Sequence, residues 1–219
     1  MLTTENMHRF LTFLARRVKD PLPGIEAQKI MAPVPDRDRH PQVSIPIDAA
    51  QSAVLLLFSF DSDRNLEILY TLRSQKLISH KGQISFPGGR TEKDETPVET
   101  ALRETHEEVG IDPDSVEVLG LLSPLYVPPS NSVINPVVGY MDTLPELRLQ
   151  ESEVSEAFTI TLDELLSKAK RQNEIWVLRG QNYSVPYWNV HSTPLWGATA
   201  MITSEVVELY REYISIKSL

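Results

Sequence analysis

The stretch from Gly89 to Ile111, GRTEKDETPVETALRETHEEVGI, constrains this chain more than any other. Pro87, Gly88 and Gly89 make a turn in which the backbone can take positive φ and approach a ligand closely. Thr96-Pro97 marks a helix start, because threonine caps the exposed amides and proline is tolerated at the first helical position. From Val98 to Val109, at about 100° per residue, Val98, Leu102, Thr105 and Val109 share one stripe. Glu104, Glu107 and Glu108 share another. One face is expected to pack and the other to collect charge.

Carboxylates three and four residues apart destabilise a bare helix by about 0.2–0.5 kcal/mol per pair. These also sit toward the helix C-terminus, where the macrodipole disfavours anions. Two readings fit. The acidic stripe is a solvated face, the commoner meaning of such a cluster, or it holds a cation. The glycine turn favours the second reading, and so does Arg103, eight residues after Glu95 and placed to pair with it. Oxygen ligands in a chain without cysteine point to magnesium or manganese, not zinc or copper.

These residues resemble the Nudix box, G-x5-E-x7-R-E-U-x-E-E-x-G-U, with U a bulky apolar residue. Here it is filled by Gly89, Glu95, Arg103, Glu104, Thr105, Glu107, Glu108, Gly110 and Ile111. Only Thr105 departs, at a U position, where its methyl can still face the apolar stripe. The resemblance implies an α/β fold, the Nudix α/β/α sandwich with a mixed sheet, and cleavage of a nucleoside diphosphate linked to another moiety. Leu69-Tyr70-Thr71-Leu72-Arg73-Ser74, Gly82 and Phe86-Pro87-Gly88-Gly89 resemble L-L-T-x-R-[SA]-x3-R-x3-G-x3-F-P-G-G of the coenzyme A pyrophosphatase branch. Tyr70 replaces the second leucine, and Ile78 stands where that pattern has an arginine.

Hydrolysing a pyrophosphate needs cations that neutralise the phosphoryl oxygens and lower the pKa of the attacking water. Glu104 and Glu108 are the expected ligands of Mg²⁺ or Mn²⁺, with Glu107 as a third ligand or as a base through water. The carbonyl of Gly88 or Gly89 completes the shell, and Glu153, ahead of a strand, is a further acidic candidate. Arg73, at a strand end, is expected to contact phosphate, and His80, Lys81 and Gly88 lie within reach of the nucleotide. Glu95 and Arg103 fix the loop to the helix. The expected substrate is coenzyme A or a thioester of it, split into 3′,5′-ADP and 4′-phosphopantetheine. Ile78 keeps ADP-ribose, dinucleotides and nucleotide sugars open. A non-catalytic nucleotide binder is the remaining alternative, against which the three intact glutamates argue.

A net charge of −9 and no basic cluster exclude a nucleic-acid surface. No apolar run reaches membrane-spanning length. The absence of cysteine fits a reducing cytoplasm and rules out a disulfide framework. The expected partner is a small nucleotide substrate.

Residues 1–46 are expected to be an N-terminal helix, Thr3–Lys19, and an extended connector with six prolines; the Nudix domain should occupy 47–219. The helix packs on the core or on a second subunit, which would make a homodimer. Strands are expected at Gln51–Phe60, Leu66–Leu72, Val116–Leu122, Val133–Met141 and Ala157–Thr161. The loop Ser123–Ser132 is expected near the substrate. A short helix should span Thr161–Lys170, a hairpin should turn over Gly180-Gln181-Asn182, and a long helix should begin at Thr193–Thr199. Trp196-Gly197 resembles a Trp-Gly-x-Thr found near the end of the same branch.

Overall fold

A computed structural model describes residues 4–35, 45–76 and 81–217. Its centre is β2 (Ala50–Phe60), an apolar run buried on both sides. Ala53, Leu55 and Leu57 face one core with Ala101 and Val109 of α3 (Pro97–Val109). Leu56, Phe58 and Phe60 face the other, with Phe10 and Leu14 of α1 (Thr4–Arg17) and Val206 and Tyr210 of α5 (Gly197–Lys217). Continuous hydrophobicity is what a strand covered on both faces requires. Helices on either side of a mixed sheet make the expected sandwich. The N-terminal helix packs into the core of its own chain: Phe10 meets Tyr210 edge to face at 5.0 Å.

The sheet runs β4 (Ile84–Ser85), β3 (Leu66–Arg73), β2, β8 (Ser132–Tyr140), β6 (Glu117–Leu121). β2 and β8 are parallel; the other pairings are antiparallel. One edge of β2 is shared. Phe58–Phe60 pair with β3, whereas Ser52–Val54 pair with β5 (Gly88–Arg90). The glycine turn expected as a loop is therefore a short strand wedged into the sheet, and the freed edge of β2 is what holds it. A side chain at 88 would come 2.4 Å from the Ala53 carbonyl, so glycine is required by close approach. β9 (Val154–Thr161) lies along the other edge of β3 and begins three residues earlier than expected.

Several expected boundaries shift. The connector is not extended throughout: α2 (Ile25–Gln28) and a 3-10 turn (Lys29–Met31) bury Ala27, Gln28 and Met31. Gln28 donates to the buried Glu205 carboxylate at 3.1 Å, a tertiary bond invisible in sequence. It continues into β1 (Val34–Pro35), which joins a second sheet in the order β1, β11 (Gln181–Trp188), β10 (Arg171–Leu178). That hairpin turns at Arg179-Gly180, both at positive φ, instead of over three residues. The polar start of β10 hid its length. The loop after β6 contains β7 (Leu125–Val127), and α4 (Leu162–Leu166) stops short of Lys170, because Ser167 turns extended. Trp188 and Leu195 form an isolated bridge, so the last helix starts at Gly197, not Thr193.

Candidate active site

α3 is positioned by its cap. The Thr96 hydroxyl accepts from Glu99 N–H at 3.3 Å and the Glu99 carboxylate accepts from Thr96 N–H at 2.7 Å, a reciprocal capping box ahead of Pro97. Gly110 closes the helix in the left-handed region. The axis is thereby fixed beneath β5, with the acidic residues turned toward the two glycines.

The three glutamates do not share one open stripe. Glu107 is open, its side chain 57% exposed, Glu104 is largely covered, and Glu108 is 3% exposed. The reason is rotation: Glu108 sits between Glu104 and the fully buried Thr105 around the helix, so it turns in against the sheet. Thr105 tolerates burial by donating its hydroxyl to the Ala101 carbonyl at 2.6 Å. Gly88 N–H donates to Glu108 Oε2 at 3.3 Å. A Cβ at position 89 would fall 2.4 Å from Glu104 Cδ, so the missing side chain is the space that the Glu104 carboxylate fills.

Arg103 does more than brace the loop. Its Nε donates to Glu95 Oε1 at 2.7 Å and Nη2 to Glu95 Oε2 at 3.1 Å, a bidentate pair. Nη1 also reaches Glu104 at 3.0 Å and Glu107 at 3.3 Å, and Nη2 reaches the Arg90 carbonyl. The acidic turn thus has a protein cation of its own, which offsets part of the crowding that the sequence pattern assigns to a metal. Glu95 is held down at about 2, first by Arg103 and then by the turn backbone. Glu108 is pushed up to about 7, first by burial; Arg73 and Gly88 N–H pull it back, while Glu104 and Glu153 push it further. Glu104 is raised, again chiefly by burial.

Arg73 and Glu153 come to this place from elsewhere in the chain. Arg73 Nη1 is 3.9 Å from Glu108 Oε1, and its buried Nε has no hydrogen-bond partner among the described residues. The Glu153 carbonyl accepts from Ser74 N–H at 2.7 Å, which ties the start of β9 to the end of β3, close enough for its charge to act on Glu104 and Glu108. Lys81 is exposed; His80 and Ile78 lie outside the described residues. His106 points away, its Nδ1 3.1 Å from the Ile111 carbonyl. Trp196 packs edge to face on Trp176. The Arg73–Glu108 proximity and the reach of Arg103 to Glu104 and Glu107 were not anticipated. The i,i+4 spacing of Arg103 and Glu107 carried the second signal; the first depends on tertiary pairing.

Among the described residues no three His, Asp or Glu side chains converge on one point as a ready-made cage. The donor set nevertheless fits a hard dication. Glu104 raises the proton affinity of Glu108, Glu107 that of Glu104, Glu153 adds to both, and the Gly88-Gly89 backbone lies over them.

A family model for the NUDIX domain matches residues 48–179. This chain belongs to the Nudix family. It is 39% identical over 134 residues to Nudix hydrolase 3 of Caenorhabditis elegans, covering 60% of this chain and 56% of that protein. It is also 39% identical over 147 residues to mitochondrial coenzyme A diphosphatase NUDT8 of Homo sapiens, covering 65% and 62%. The chain thus spans less than two thirds of the length of either relative. In fold, a MutT/nudix family protein from Enterococcus faecalis superposes with a TM-score of 0.51 at 15% identity, over 94% of this chain and 73% of that one. Among the described residues of this Nudix protein, no helix is long and apolar enough to cross a membrane.

Proposed function

We propose that the chain hydrolyses the pyrophosphate bond of a nucleoside diphosphate derivative with Mg²⁺ or Mn²⁺. Coenzyme A or its thioesters are the substrate and 3′,5′-ADP and 4′-phosphopantetheine, or its acyl form, the products. One observation carries this reading: Glu108, buried and pushed up to about 7, lies under the Gly88 amide with Glu104 and Glu153 in electrostatic reach. A buried carboxylate with like-charged neighbours is poised to exchange a proton for a cation. Human NUDT8, named a coenzyme A diphosphatase, supports the substrate, as does the Leu69–Gly89 pattern.

Glu104 and Glu108 would hold the metal, with Glu107, the Gly89 carbonyl and Glu153 as further oxygen donors. When bound, the metal neutralises phosphoryl oxygens and acidifies water. The chain itself does the rest. Arg103 keeps Glu95, Glu104 and Glu107 in register with the glycine strand, and Arg73 faces incoming phosphate from the end of β3. Lys81 and Gly88 line the approach in this reading, and His80 is a further candidate for contact with the nucleotide. Residues 47–219 form the hydrolase unit and 1–46 its wrapping segment. A cytoplasmic location belongs to the same proposal; fractionation of the host cell checks it.

A second reading rests on Ile78, which stands in place of the expected arginine and favours a different leaving group, such as ADP-ribose, a dinucleotide or a nucleotide sugar. One panel separates the two. The protein is incubated with Mg²⁺ or Mn²⁺ and CoA, ADP-ribose, NADH or diadenosine polyphosphates, and product masses are followed. Turnover of CoA in preference to the others sustains the first, preference for another substrate the second, and no turnover with either metal removes both.

A further inference from the structure

A groove of about 450 Å³ opens on the α5 side of the molecule, across the sheet from α3, and none of its lining residues belongs to the acidic site. Its floor is apolar and closed, with Leu165, Trp188 and Val207 each 2% exposed. Its rim is cationic. Lys29 comes from the 3-10 turn, Lys168 from the segment after α4, Arg171 from the start of β10 and Arg211 from α5.

That rim runs against the composition of the chain, which has 21 Lys and Arg against 30 Asp and Glu. Four cations and one carboxylate, Glu208, line the groove. Glu208 is taken by Arg211, and Lys29 binds Glu26 at 2.9 Å. Arg171 spends one N–H on the Ile30 carbonyl at 3.2 Å, and Lys168 has no ion pair or hydrogen bond among the described residues. Among the described residues, two cationic groups are thus left unneutralised on the rim of this groove. Cations spaced from residue 29 to residue 211 reach one rim only through the tertiary fold, so local sequence bias does not account for the grouping.

We propose that this groove binds a phosphorylated small molecule of mononucleotide size, its phosphate held by Lys168 and Arg171 with Lys29 and Arg211 adding to the field, and its uncharged body on the Leu165, Trp188 and Val207 floor. The volume lies in the range of small-ligand sites, about 300–1,000 Å³. A cleft with low-dielectric walls focuses the field of its rim charges, which raises the local concentration of anions. The assignment rests on the groove alone and holds whatever the acidic site hydrolyses.

The test is calorimetric titration at low salt with EDTA present, so that no dication bridges nucleotide to the acidic site. ADP, inorganic phosphate and adenosine are the probes. ADP is expected to saturate one site, and adenosine, which lacks phosphate, to bind about tenfold more weakly or not at all. Lys168→Glu with Arg171→Glu should weaken ADP by about tenfold or more, since like charges then face the phosphate. The single Lys168→Gln variant, at an exposed side chain, should weaken it less and guards against a folding defect in the double variant. Arg73→Gln, a neutral change at the acidic site, should leave ADP binding unchanged. Absence of saturable ADP binding, equal affinity in Lys168→Gln and wild type, or loss of binding in a folded Arg73→Gln each overturns the proposal.

Discussion

Arg73 Nη1 stands 3.9 Å from Glu108 Oε1, at the bulge where the pairing of β3 with β9 shifts between Leu72 and Arg73. An almost fully buried carboxylate therefore has a guanidinium as countercharge, and the Nε of that guanidinium is buried and without a hydrogen-bond partner among the described residues. Arg73→Gln should lower kcat/KM by about 10–100-fold, the scale on which groups supporting metal ligands act. Steady-state kinetics decide. An unchanged kcat/KM would remove Arg73 from both roles, toward Glu108 and toward phosphate.

Gly89→Ala tests the packing of glycine on carboxylate. A Cβ placed 2.4 Å from Glu104 Cδ must push that carboxylate aside or bend β5. The atoms in the way end a flexible side chain, so stability should change little, whereas Mn²⁺ binding should weaken as Glu104 is displaced. An Mn²⁺ spin-resonance titration reads the binding and chemical denaturation checks the fold. A wild-type Mn²⁺ affinity would show that the space is not used.

Glu104→Gln and Glu108→Gln should each reduce kcat by more than the about 10–100-fold typical of groups that only support a metal ligand, because each removes an anionic ligand of the metal that acidifies water. Both should fold: the changes are isosteric, and Glu108→Gln removes a buried charge. Glu95→Gln acts through Arg103 and should cost about 10–100-fold. Equal losses at Glu95 and Glu104 would mean that the loop brace itself touches the reaction.

The metal-free protein should show two opposite pH windows. Glu108 sits at about 7 when folded against 4.5 ordinarily, so between these values the folded state holds a proton that the unfolded chain releases. Its contribution favours the fold below about pH 4.5 and is lost as pH rises through about 7. Glu95, at about 2, behaves conversely: its stabilisation is present above 4.5 and is lost as pH falls toward 2. In EDTA, Glu108→Gln should flatten the decline of thermal midpoint between those upper values, and saturating Mg²⁺ should do the same for the wild type. A decline of equal slope in Glu108→Gln would sink the assignment.

Much of the fold was readable from local signals. The capping threonine, Pro97 and the 3.6-residue period locate α3, and the unbroken apolar run from Ala53 to Phe58 announces a strand covered on both faces. The spacing of Glu95 and Arg103 anticipates their pairing. β5 and β10 were less legible. Two glycines carry no periodicity, and Arg171-Gln172-Asn173-Glu174 carries no apolar alternation, so each strand exists because a partner edge is available.

Sequence alone determined which chemical groups lie on the helix and in what order, since adjacency along one helix follows from a fixed rotation per residue. Only the tertiary structure decided which carboxylate is buried. Glu108 is rotated into the sheet under Gly88, Arg73 arrives beside it from β3, and Glu153 arrives through the β3–β9 pairing. Burial and the approach of distant charges set a carboxylate's proton affinity, and both come from long-range packing that no local spacing encodes.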